Sequence, residues 1–281
     1  MLTLHRRAAS IHAIVFCSLP ILGSAGCGLK PVSLPSVPIR PLRAATLEEV
    51  VAAYDGYCKG IHSLSASGDL DVRDYRIGRG RRLGVRLVAT RGGHLYLKGS
   101  VAVMTALEVV ADGERFWFQL PGKKTTWTGR SDVPPRVDDD QAPYYVLRPA
   151  DLMSALLLEP LEPRASDMLV LEGDRDAFAV TLSRGAGTRA VARRRIWLER
   201  ETLLPLRTRT YDERGDVLNE VKLGDWEGAV KAPHRIVVSR PNQGYEAAFA
   251  LERVETNVSI PARAFVPRIP EGYQVIEVGE R

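Results

Sequence analysis

Of the residue types that carry chemistry, this 281-residue sequence sets one, Cys27, in a pattern that reads as a reaction site. It follows Leu22-Gly23-Ser24-Ala25-Gly26, a run of mostly small residues that closes an apolar segment. A thiol there is placed to be modified rather than to catalyse. Cys17 lies inside the apolar segment and Cys58 stands alone downstream, so the cysteines make no disulfide framework. Cys58 falls on the apolar stripe of a predicted helix with nothing nearby to lower its pKa, which predicts a buried, inert thiol. His62, His94 and His234 are widely separated and lack an HxxxH or CxxC partner, so no metal site is expected. Asp138-Asp139-Asp140 reads as a solvated charge run, with loose divalent-cation binding as the alternative. Gly78-Arg79-Gly80 and Gly185-Ala186-Gly187 lack the lysine and the strand-to-helix context of a phosphate loop, and read as turns. Ser100, Ser131 and Ser183 sit in no nucleophile-elbow pattern. The expectation is a protein that is not an enzyme and needs no cofactor.

Arg6 and Arg7 precede an uncharged segment from Ile11 to Leu22, and small residues follow. That is the order of a secretory signal, and the segment is too short to cross a bilayer comfortably. With a cysteine directly after the small residues, Ser24-Ala25-Gly26-Cys27 resembles a bacterial lipobox, although Ser24 stands where most lipoboxes carry Leu. The resemblance implies cleavage before Cys27 and a thioether diacylglycerol on its sulfur, an anchor in membrane lipid. The alternative is an ordinary signal-peptidase site with Cys27 as a chance neighbour.

The elements that must position any binding surface come next. Residues 28–43 hold Pro31, Pro35, Pro38 and Pro41, a proline-stiffened tether. The expected organisation is a signal peptide over 1–26, a lipidated cysteine and tether over 27–44, and one folded domain over 45–281. Net charge is +5, of which Arg6 and Arg7 supply two, so the mature protein is only mildly basic. Its basic residues are scattered over strands without interleaved aromatics, which argues against nucleic acid and suits attraction to anionic lipid headgroups. Thr46-Leu47-Glu48-Glu49 is a capping box, and Leu47, Val50, Val51, Tyr54, Cys58 and Ile61 form one helical stripe ending at Gly60.

From Ser63 the period becomes two. Leu83, Val85, Leu87 and Ala89 alternate with Arg82, Gly84, Arg86 and Val88. Strands are predicted over Leu64–Tyr75, Leu83–Ala89, His94–Lys98, Thr105–Ala111, Arg115–Leu120 and Lys124–Thr128, with a long loop over Ser131–Pro149. A short helix opening at Pro149 carries Leu152, Met153, Leu156 and Leu157. Further strands are predicted over Met168–Glu172, Phe178–Leu182, Ala192–Glu199, Leu206–Tyr211, Val217–Leu223, Arg235–Ser239, Tyr245–Leu251 and Val254–Val258. An antiparallel sheet of ten or more strands must curl, because twist accumulates. The fold class is therefore mainly β (α+β): a curved antiparallel sheet plugged by two helices, with space for a ligand between them. Trp117 and Trp127, with Phe116 and Phe118, are read as cavity lining or plain core.

Arg195-Ile196-Trp197-Leu198-Glu199 through Pro205-Leu206-Arg207 resembles the strand–turn–strand of LolA/LolB-like lipoprotein-carrier proteins. Tyr211–Val217, Pro233–Val238, Val254–Asn257 with Ile260-Pro261 and Phe265, and Ala111-Asp112-Gly113 through Phe118 follow in the same order. The resemblance implies an unclosed β-barrel covered by short helices, whose hydrophobic cavity shields acyl chains of lipoproteins or lipids. Carried to this sequence, the cavity is expected at Leu83, Val85, Leu87, Phe116, Phe118, Leu152, Met153 and Leu156. The acceptor type is itself lipid-anchored, which fits Cys27, and Gly28 in place of Asp favours the periplasmic face of the outer membrane. That type also presents an apolar residue on a protruding loop, for which Val101 and Val103 are candidates; the other reading of that run is strand core. The implied partners are acylated lipoprotein or lipid cargo and a periplasmic carrier protein. The alternative function is an envelope sensor or scaffold resembling the RseB-like regulators, binding a partner protein.

Overall fold

The computed structural model describes residues 42–131, 148–186, 189–228 and 232–278. The signal segment, Cys27, the tether as far as Pro41, most of the predicted loop and Asp138-Asp139-Asp140 lie outside the described residues. The first described element is the predicted helix, α1 (Leu47–Gly60). Its capping box is complete: the Glu49 N–H donates to Thr46 Oγ1 at 3.3 Å, and the Thr46 N–H donates to the Glu49 carboxylate at 2.8 Å. Both bonds satisfy donors that the first helical turn leaves without partners. Val50, Tyr54 and Cys58, on one face at helical spacing, are buried.

Six strands follow as a meander: β1 (Ser63–Asp74), β2 (Arg79–Thr90), β3 (His94–Val101), β4 (Met104–Asp112), β5 (Arg115–Leu120) and β6 (Thr125–Arg130). After α2 (Pro149–Leu156) come β7 (Asp167–Gly173), β8 (Ala177–Ala186), β9 (Arg189–Glu199), β10 (Pro205–Tyr211), β11 (Val217–Glu227), β12 (Ala232–Arg240), β13 (Tyr245–Thr256) and β14 (Gln274–Glu277). All fourteen belong to one curved, unclosed sheet in the order β14-β6-β5-β4-β3-β2-β1-β13-β12-β11-β10-β9-β8-β7. Every pairing is antiparallel except β14 on β6. Two meanders are thus zipped along β1 and β13. The connection from β6 to β7 must travel from one side of the sheet to the far edge. That crossing carries α2 over the middle of the sheet, against β12 and β3.

Two details depart from the sequence expectation. Tyr245–Leu251 and Val254–Val258 are not separate strands: β13 runs unbroken to Thr256 with a bulge, where Ser67 pairs with Arg253 and Gly68 with Leu251. The extra residue, Glu252, slips the apolar period, which in a sequence looks like the end of a strand. Only glycine fits β1 here, because a Cβ on Gly68 would lie 2.1 Å from the Ala250 carbonyl oxygen. β14 is too short and too polar to show alternation, and was not expected. The segment leading to it lies on the convex face, where Phe265 meets His94 and Gln119 Nε2 donates to the Arg268 carbonyl at 3.0 Å.

Removing the cap by Thr46→Ala should cost about 1 kcal/mol of stability, read as a lower urea midpoint at unchanged slope.

Candidate functional site

The concave wall is made by alternate residues of each strand. Leu83, Val85 and Leu87 of β2 lie beside Leu95 and Leu97 of β3, then Leu107 and Val109 of β4, then Phe116 and Phe118 of β5. On the other side of the seam the wall continues through Phe249, Ile236, Val221, Ile196 and Val180. Leu152 and Leu156 of α2 and Val50, Tyr54 and Cys58 of α1 complete the same cluster. The eight residues predicted to line a cavity are therefore brought together. Seven of them are buried and Met153 is partly buried against the cluster. Burying each Leu, Val or Phe side chain contributes roughly 1.5–3 kcal/mol. The helices fill the concavity over these residues as any core would.

Polar bonds fasten this cover. Asp151, in the first turn of α2, reaches the sheet as a buried ion pair. Arg240 Nε donates to its Oδ2 at 2.5 Å and Nη2 to its Oδ1 at 2.9 Å, while Asn219 Nδ2 donates at 3.0 Å. The segment after α2 is held by side chains from below and beside it. Arg91 donates to the carbonyls of Cys58 and Leu158, and Arg194 Nη1 to that of Pro160 at 3.1 Å. The Leu161 N–H donates to Asp55 at 2.8 Å. Arg194 Nη2 also donates to the hydroxyl of fully buried Tyr54 at 2.7 Å, which ties α1 to β9.

Two hollows border the cover. One, of about 260 Å³, lies between α2 and the β2–β3 and β4–β5 turns, and Met153 and Leu157 line it with Arg91 and Ser131. The other, of about 250 Å³, is polar: Arg184, Arg193, Arg194, Thr208, Thr210 and Tyr211 surround it, with Glu159 at its edge. Arg193 owes its place to a bulge, since Leu182 of β8 pairs with Arg194 and Ser183 with Ala192. A bulge re-aims the extra residue, here beside its neighbour Arg194.

The remaining predicted residues fall as follows. Trp127 is buried in the concave core beside Phe118, at 6.1 Å between rings. Trp117 belongs to the opposite face, because it alternates with Phe116 and Phe118 along β5. Val101 and Val103 are not strand core: they stand at the β3–β4 hairpin tip with exposures of 46% and 98%, and Met104 beside them is 70% exposed. Ala102 takes φ +52° to make that turn. Cys58 is buried, and desolvation pushes its thiol up to about 11. His62, His94 and His234 do not converge, and no cluster of three potential ligands occurs among the described residues. Asp151, Arg240, Arg91 and Arg194 were missed by the sequence reading. The only local signal was an acidic residue in the first turn of a helix, which reads as a dipole effect rather than an ion pair.

Solved structures show how widely this architecture is shared. A LolA superfamily protein, NE2245, from Nitrosomonas europaea superposes with a TM-score of 0.50 at 11% identity, over 80% of this chain and 99% of its own. The chain has a LolA-like fold. A DUF1329 family protein from Desulfovibrio piger shares it at a TM-score of 0.51 and 13% identity, over 77% of this chain and 94% of its own. At such identities the LolA-like likeness is one of fold. No protein-family model matches the sequence, and no curated protein does.

Breaking the buried pair by Asp151→Ala should cost about 3–5 kcal/mol, because buried Arg240 is left without a carboxylate to balance its charge; thermal and urea unfolding measure it. The native Cys58 thiol should be alkylated at pH 8 roughly a hundredfold more slowly than in urea, read by mass spectrometry of the Cys58 peptide.

Proposed function

We propose that this chain is a lipid-anchored protein of the bacterial envelope that binds acyl chains and passes them on at the outer membrane, without doing catalysis. The observation that carries this is the apolar concave wall of a wide open sheet, covered by two short helices and a few polar fastenings. Acyl chains need only such a wall, worth about 0.8 kcal/mol per buried methylene, and no converging catalytic groups. Cargo would take the place of the cover, with Leu83, Val85, Leu87, Phe116 and Phe118 as the wall and Leu152, Met153 and Leu156 lifting from it. The polar hollow at Arg193 and Arg194 suits the head of an amphiphile whose tails lie on the wall.

The anchor would be Cys27, after removal of residues 1–26, with residues 27–44 as a tether. The exposed Val101-Ala102-Val103-Met104 tip would touch the bilayer or the incoming lipid. A periplasmic carrier that hands over an acylated lipoprotein is the partner this arrangement calls for. The LolA-like fold supports the reading as an architecture compatible with such cargo.

Mass spectrometry of lipids retained by the protein purified from its native host tests the proposal. Bound acylated species are expected; a lipid-free protein holding a stoichiometric protein partner would favour a sensor instead. Val101→Glu with Val103→Glu should change stability by no more than about 0.5 kcal/mol, since both side chains are exposed, yet reduce acyl transfer to vesicles. Unaltered transfer would remove the tip from the mechanism.

A further inference from the structure

The convex face carries a cross-strand row that the fold itself does not require. Register places Arg253 of β13 opposite Ser67 of β1, Ser67 opposite Arg86 of β2, and Arg86 opposite Lys98 of β3. Arg86 and Lys98 are thus like charges directly across an antiparallel pair, an arrangement that costs stability unless something negative lies between them. Several other cations on this face are matched. Arg82 meets Asp69 at 2.6 Å, Arg195 meets Glu172 at 2.7 Å, and Glu220 accepts from both Arg207 and Arg209. Arg86, Lys98 and Arg253 form no close ion pair among the described residues; Glu108, opposite Lys98 on β4, attracts it across the ladder.

The row borders a hollow of about 450 Å³, lined also by Ser67, Ser100, Gly84 and the single carboxylate Glu252. Its floor is open because Gly84 lacks a side chain; a Cβ there would meet nothing nearer than the Ser100 carbonyl at 3.8 Å. Two guanidinium groups, an ammonium and two hydroxyls around a shallow hollow make a donor set for a phosphodiester oxygen pair. Ala102 of the hairpin tip lines the same hollow. Lys98 and Val101 are three strand residues apart, about 10 Å. That spacing suits headgroup phosphates lying just above the depth an apolar tip would reach.

We infer that the row Arg253–Ser67–Arg86–Lys98 and its hollow bind the phosphate of an anionic phospholipid, so that the β3–β4 tip docks on acidic bilayer rather than on any apolar surface. This rests on the membrane role of the tip, and names the lipid class that role selects.

Flotation of the full chain with phosphatidylcholine vesicles, and with vesicles part-replaced by phosphatidylglycerol, tests it; the N-terminal segment contributes equally to every variant. The wild type should prefer the acidic vesicles. Arg86→Gln with Lys98→Gln should lose about thirtyfold of that preference, about fivefold per cation, and weaken binding to phosphatidylcholine much less, because its choline cancels the phosphate's charge. The same double variant should unfold at nearly the wild-type urea midpoint, since it relieves the Arg86–Lys98 repulsion while giving up the attraction of Lys98 to Glu108, so lost binding cannot be lost folding. Removing equal charge elsewhere, by Lys59→Gln with Arg79→Gln, should have a markedly smaller effect; an equal effect would reduce the row to general charge and overturn the inference. Retained preference in the Arg86/Lys98 variant would overturn it too. So would saturable binding of inorganic phosphate without any vesicle preference, which would mark a site for free phosphate. Val101→Glu with Val103→Glu separates the two readings. If it leaves all vesicle binding intact while the Arg86/Lys98 variant loses the acidic preference, the tip fails and the headgroup site stands.

Discussion

The structure depends on covering the apolar concave side of an open sheet. A closed barrel hides its inner face by joining its edges, but here β7 and β14 remain edges of one fourteen-stranded sheet. The inner residues of nearly every strand are apolar, and they are kept from water by α1, α2 and the segment that follows α2. The cover is therefore as necessary as the wall. It is held partly by the wall's hydrophobicity and partly by the buried pair between Asp151 and Arg240, with Asn219 as third partner. A buried pair of this kind adds little over an apolar substitute, but fixes where the helix sits, because an unmatched charge at that depth is costly.

The two faces of the sheet use opposite chemistry. The concave face is largely apolar, and its contacts with the cover are non-directional. The convex face carries several matched charges, with Trp197 stacked under Arg195 and Arg207 at 4.9 and 4.8 Å, and with Glu220 bridging Arg207 and Arg209. Burial alone would raise the Glu220 carboxyl, yet hydrogen bonds from the two arginines outweigh it and hold its pKa below the ordinary value. Beside the β3–β4 tip, by contrast, Arg86 and Lys98 stand directly opposite each other, two like charges across one pair of strands.

The LolA-like fold accounts for the architecture. Particular side chains add detail to this architecture: the bulge that brings Arg193 beside Arg194 at a polar hollow, the Arg86–Lys98 row, and an apolar hairpin tip. The first and the last sit where a strand departs from regular pairing or ends. Irregular positions are where a sheet can add a function without disturbing its ladder.

Much of the local structure could be read in the residues. The Thr46–Glu49 box set the start of α1, and strict alternation set the inward residues of β2, because a strand's period of two leaves one face for the core. The resemblance to the LolA/LolB-like proteins also anticipated an unclosed sheet with helices over it. Sequence could not show the Asp151–Arg240 pair, whose members are 89 residues apart, nor the Arg86–Lys98 opposition, which exists only in the register of a hairpin. It also took the β13 bulge for a strand end and placed Trp117 with the residues of the opposite face. Which residues alternate, where helices begin and which side chains are apolar follow from neighbours in the chain, so these were legible in the residues. Tertiary structure alone decided which charges meet, which hollows remain and which valines reach solvent, because those depend on pairing between segments that no local pattern records.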